Sequence, residues 1–157
     1  MQTFRSAKER IMEKATKQLK QSSIFVLLFA GLSLLQIIGF LLWGDLNSAE
    51  IPEGSPENIL LITKIFLLSL SVVMLLPKIY VGFKGLKIAK NPTPAKAHLF
   101  WAVIILVFNV LNLIEPAVAA VKDGVSYDSA TSFFSVLLDV VIIYEYIMHA
   151  RAVAKAL

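Results

Sequence analysis

Four long apolar runs, at residues 24–43, 59–83, 99–120 and 131–150, alternate with short polar segments along the chain. Each is about 20 residues or longer, the length an α-helix needs to cross a hydrocarbon core roughly 30 Å thick. The pattern predicts four transmembrane helices. Because the segments between them are short, successive helices are expected as antiparallel neighbours. The expected fold is all-α, an integral membrane four-helix bundle running up-down-up-down, in a single membrane domain covering residues 1–157.

Local signals place the helix ends. Ser55-Pro56-Glu57 reads as an N-cap, a first-turn proline and an acid that suits the helix dipole, opening the second helix. Thr93-Pro94 is expected to open the third in the same way. Asp128 or Ser129 caps the fourth, after a turn at Asp123-Gly124. Before the first run, Phe4, Ala7, Ile11, Ala15 and Leu19 recur at helical spacing, with Arg5, Lys8, Arg10, Lys14, Lys17 and Lys20 over much of the remaining surface. The pairs Arg5–Glu9 and Glu13–Lys17 favour a helix. Residues 1–23 are therefore expected as a separate amphipathic cytoplasmic helix. It either lies on anionic lipid headgroups or serves as an anchor of topology.

Composition reinforces the membrane reading. The 157 residues are 57% hydrophobic, with a mean hydropathy of +0.75, whereas soluble domains sit near about 45–50% apolar. With the four runs set aside, no remaining piece is large enough to bury a catalytic core. The run at 24–43 exceeds the h-region of a cleaved signal peptide, and no A-x-A-like site follows it; it is expected as a retained helix. The absence of cysteine excludes disulfides, thiolate metal ligands and thiol redox chemistry.

Charge then sets the orientation. Twelve of the 15 basic residues fall in the N-terminal segment, in the second loop (Lys84, Lys87, Lys90, Lys96) or at the C-terminus (Arg151, Lys155). The first loop carries Asp45, Glu50, Glu53 and Glu57 without a basic residue, and the third carries Lys122, Asp123 and Asp128. Lys and Arg accumulate in cytoplasmic loops, so both termini and the second loop are expected inside, in a bacterial cell membrane. The net charge of +4 thus belongs to a membrane with one basic side and not to nucleic-acid binding.

Candidate chemistry lies within the runs, where charged groups are costly and face an interior, a hydrated cavity or a partner. Estimated depths suggest two ion pairs, Lys64–Glu115 near the outer face and Lys78–Glu145 near the inner one, with Asp139 near the midplane and unmatched by a lysine. Each helix also carries a polar or small stripe: Ser33, Gln36 and Gly39; Lys64, Ser71 and Lys78; Asn109, Asn112 and Glu115; Ser132, Ser135, Asp139 and Tyr146. Turned inward, these form a polar seam of Gln36, Ser71, Asn109, Asn112 and Asp139. The seam either carries solute or only holds helices together by hydrogen bonds. Pro77 and Pro116 can kink their helices near the span ends.

His98 and His149 are weak candidates for a metal or proton-relay site beside Glu145. Without a spacing motif they read better as interfacial histidines, and no metal or cofactor is expected. No phosphate-binding loop, zinc-protease motif or nucleophile elbow is present, and the chain is not expected to be an enzyme.

Two functional classes remain, with a third less favoured. The first is a small permeation or transport protein for an ion or small polar solute, using Asp139, Asn109, Asn112 and Gln36 and gated by Lys64–Glu115. So small a bundle is expected to need a homo-oligomer to form a pore. The second is a non-transporting subunit, adaptor or immunity-type protein that meets membrane-protein partners through its polar stripes or through Phe133, Phe134 and Tyr144. The third is a lipid-modifying enzyme using His98, Glu145 and His149.

Overall fold

The computed structural model describes residues 7–43, 57–93, 96–122, 124 and 126–157. Among the described residues every regular element is helical: α1 (Ala7–Trp43), α2 (Glu57–Lys90), α3 (Ala97–Leu111), α4 (Ile114–Lys122) and α5 (Tyr127–Ala156). Among the described residues three stretches are long and apolar enough to cross a membrane: Lys8–Gly39, Ala97–Lys122 (α3 with α4) and Ala130–Ala156. The expected proline cap at Ser55-Pro56 lies outside the described residues, as do Phe4, Arg5, Asp123, the acidic side chains of the first loop and the side chains of Asp128 and Ser129.

The N-terminal segment is not a separate element. α1 runs without a break from Ala7 through the first apolar run, 37 residues that measure roughly 55 Å at 1.5 Å each. Nothing between Lys20 and Ile24 stops it. The hydroxyls of Ser22 and Ser23, at the junction, donate back to carbonyls of the preceding turn, Ser23 to Leu19 at 2.6 Å, and so remain compatible with helix. The apolar face expected on headgroups is used inside the protein instead. Ala15, Leu19, Val26 and Ala30 are buried, in the region where α1 packs on α2 and α5. Ile11, on the fringe of that face, stays exposed.

α3 packs on the same two helices, α2 and α5. Its first turn closes on Lys96, whose carbonyl accepts from the amides of Leu99 and Phe100. The described helix opens at Lys96; Pro94 of the expected Thr93-Pro94 opening lies outside the described residues. The third apolar run is interrupted one turn before Pro116. Proline has no N–H to offer the Asn112 carbonyl; the ladder shortens just before it, Leu113 donating to Val110 three residues back, and returns to four-residue spacing with Ala117 donating to Leu113. Pro77, by contrast, sits inside an unbroken α2. Gly124 turns the chain into α5 with φ of +82°, a conformation that side-chain-bearing residues rarely adopt.

The core lies toward the lysine-rich ends of the helices, here termed the basic end. Leu19, Val26, Val81, Ile105, Ile143, Tyr146 and Val153 are all but inaccessible. Tyr146 is the largest side chain buried there, and its hydroxyl donates to the Val81 carbonyl at 3.1 Å. α2 meets it with a glycine. A Cβ on Gly85 would lie 2.5 Å from Tyr146 Cε2 and would also collide with Ser23 Oγ. Gly85 therefore leaves room for Ser23 of α1 and the Tyr146 ring of α5 to lie against α2 together, the use small residues have in packed membrane helices. Toward the other, acidic end this packing stops. Among the described residues, burial ends at Ala30 in α1, begins at Leu75 in α2, ends at Asn109 in α3 and begins at Ile143 in α5, while α4 has no buried residue.

Gly85→Ala should lower stability by about 1–3 kcal/mol through overpacking. Gly31→Ala, whose Cβ meets nothing within 4 Å, should be neutral or stabilising by up to about 1 kcal/mol. Thermal unfolding of the two variants in one detergent separates them; equal midpoints would contradict the role given to Gly85.

Candidate functional site

Where the core ends, the helices part around a cleft. One lobe, of about 580 Å³, is lined by Ser33 and Gln36 of α1, Ser71, Met74 and Lys78 of α2, and Phe108 and Asn109 of α3, with Asn112 just beyond α3. A second lobe, of about 500 Å³, shares Ser33, Gln36, Lys78, Asn109 and Asn112 and adds Ser135 and Asp139 of α5. All five residues expected in the polar seam, Gln36, Ser71, Asn109, Asn112 and Asp139, thus line connected space. They do so because polar positions of α1, α2, α5 and the C-terminal end of α3 border the same space.

The sides of the cleft are mixed. Met74, Leu75, Phe108 and Val136 supply apolar surface between the polar groups, a composition common to small-molecule sites. Ser33 Oγ donates to the Phe29 carbonyl at 2.9 Å, which commits its proton to the helix and leaves lone pairs for an incoming donor. Gln36, Asn112 and Ser135 are exposed at the lip. Asn109 is deeper, 5% exposed, and its Nδ2 has no hydrogen-bond partner among the described residues.

Lys78 and Asp139 form the charged floor. They make a short salt bridge between α2 and α5, with side chains only 11% and 14% exposed. This pairing corrects the expected one. Glu145 is exposed and does not meet Lys78. The depth estimate failed because α2 does not end at residue 83. It continues to Lys90, so Lys78 sits more than three turns inside the helix, level with Asp139. The other expected pair lies partly outside the described residues: the side chain of Lys64 is not described, and Glu115 is exposed on α4.

The histidines stand apart from the cleft. His98 is buried, 2% exposed, and packs edge-on against Tyr146 with ring centroids 6.0 Å apart. It is therefore a core residue of the basic end and not an interfacial one. His149 is half-buried. Among the described residues no three His, Asp or Glu side chains gather as metal ligands would. Of the remaining stripe residues, Ser132 is exposed and Tyr146 belongs to the core.

Three features were missed in the sequence: the Lys78–Asp139 pair, the burial of His98, and Gly85 as the contact point of three helices. The first was accessible in principle, since Lys87 and Lys90 continue the helical run beyond residue 83. Leaving one member of a largely buried ion pair without its partner is destabilising, whereas replacing both by apolar groups often is not. Lys78→Met or Asp139→Leu alone should cost on the order of 3 kcal/mol, and the double variant should recover most of it. A double-mutant cycle on unfolding in detergent measures the coupling; additive losses would mean that the pair does not form. Compared with protein-family models, curated proteins and solved structures, the chain matches none.

Proposed function

We propose that the chain is a multi-pass membrane protein that binds a small polar solute in this cleft and passes it across the bilayer. In this reading α1, α2, α3 with α4, and α5 are four spans of one up-down bundle. The basic end, with both termini and the segment joining α2 to α3, faces the cytoplasm, and the cleft faces outward. The support for the orientation is the asymmetry of Lys and Arg between the two ends. The support for the function is one observation, the convergence of polar side chains from four helices on a cleft that one chain completes by itself. Helix-to-helix hydrogen bonding alone would favour a dry, paired seam. No oligomer is needed to build the site, and no nucleophile or metal cluster among the described residues suggests catalysis.

The structure is closed below the cleft by Tyr146, Val81, Ile105 and Ile143, so the conformation corresponds to one side of an alternating path. The adaptor reading draws instead on Phe134 and Tyr144, both more than half exposed on α5. Lipid covers such residues equally well.

The absence of cysteine makes single-cysteine labelling direct. Ser33→Cys and Ser135→Cys should react with a membrane-impermeant maleimide applied outside intact cells. Lys14→Cys and Arg151→Cys should react only after permeabilisation, and Ser23→Cys, fully buried, in neither case. In proteoliposomes, labelling Ser33→Cys should stop the osmotic recovery that unlabelled protein permits. Reversed labelling would sink the orientation. Unlabelled protein that gives no flux, together with a membrane protein co-purifying in mild detergent, would transfer the function to the adaptor class.

A further inference from the structure

The floor of the cleft holds one positive and one negative group, already joined. Among the described residues no other charged side chain lines either lobe. The described walls therefore offer a solute no net charge to neutralise. A bare cation or anion entering this low-dielectric space would give up hydration without a counter-charge. To gain one it would have to draw Lys78 away from Asp139 and leave the other group uncompensated.

Hydrogen-bonding capacity is unbalanced in a complementary way. Lys78 carries three N–H donors and gives one to Asp139 Oδ2. Asn109 Nδ2 is buried and unpartnered at the same depth. Together they ask for an acceptor. Opposite them, the second carboxylate oxygen of Asp139 and the lone pairs of Ser33 Oγ can take a donor.

We infer that the cleft is selective for a solute of zero net charge that carries an acceptor and a donor close together, as a zwitterion or a polyhydroxylated molecule does. This rests on the reading of the cleft as a solute site and adds the class of solute. The acceptor binds Asn109 Nδ2 and Lys78, the donor binds Asp139 and Ser33, and Gln36 and Asn112 at the lip hold the rest.

The test is the unfolding midpoint of the full chain in detergent with glycine, glycerol or potassium chloride at matched osmolality, for the wild type, Asn109→Leu and Asn112→Leu. A ligand that binds only the folded state raises the midpoint. Leucine keeps the volume of asparagine nearly unchanged but removes the donor, so binding should weaken roughly tenfold at Asn109. Asn112→Leu, at an exposed position, reports even where the deeper variant fails to fold. Protection by glycine or glycerol that shrinks in either variant, with potassium chloride acting alike on all three proteins, is the expected result. The probe that responds separates zwitterion from polyol. Protection by potassium chloride that the variants lose would overturn the solute class while leaving a binding cleft. If neither neutral probe distinguishes wild type from variants, the inference fails, and proteoliposome flux then decides whether the transport reading fails with it.

Discussion

An ammonium and a carboxylate taken out of water each lose several kcal/mol of hydration, on the order of what a whole domain retains as net stability. Lys78 and Asp139 make this loss tolerable only for each other, and that constraint organises the structure around them. They must lie at one level on α2 and α5, which sets the register of the two helices. They also mark the level at which close packing ends. Below them, Gly82 and Gly85 let neighbouring helices approach α2 and Tyr146 fills the interior. Above them, the inward positions carry Ser33, Gln36, Ser71, Asn112 and Ser135. These side chains are too small or too polar to close the space by burial of apolar area.

The break before Pro116 belongs to the same boundary. It interrupts the helix at Asn112 and Leu113, and α4 beyond it packs on α5 but has no buried residue. A straight helix carrying Asn109, Asn112 and Glu115 at intervals of three would hold all three along one slowly curving stripe. With the ladder interrupted, Asn109 stays in the floor, Asn112 reaches the lip, and Glu115 is exposed. The proline thus separates the stripe into a part that faces the cleft and a part that does not.

Periodicity made the helices legible, and the polar seam with them, because side chains at intervals of three, four and seven must share a face whatever the tertiary structure. What periodicity does not report is where a helix stops once its surface changes from lipid-facing to water-facing. Both errors of extent arose there. Residues 1–23 read as an element of their own because their outer surface is basic, although the inward face, Ala15 through Ala30, is continuous. α2 was ended at residue 83 for the same reason, and that displaced Lys78 from its true partner. His98 was misjudged on similar grounds: a histidine near a basic loop reads as interfacial unless the packing of Tyr146 against it is known.

The unpartnered amide of Asn109 bears most on function. A buried donor left without an acceptor costs about 1–3 kcal/mol, a sizeable part of the stability of a small domain. A leucine at this position would avoid that cost and would suit a helix whose neighbours are almost all apolar. Asn109 is nevertheless held 5% exposed beside a charge pair that is itself costly to bury. If the seam served only to join helices, its deepest amide would be the one most needed across an interface, yet its Nδ2 has no partner among the described residues. Two polar liabilities that line one cleft are what the proposed solute site would need, its groups being completed by a ligand and not by each other. The closed basic end then matters as much as the open cleft. On the proposed reading, a solute resting on the ion pair would meet Tyr146, hydrogen-bonded to Val81, and could pass only if that side chain left its place against Gly85.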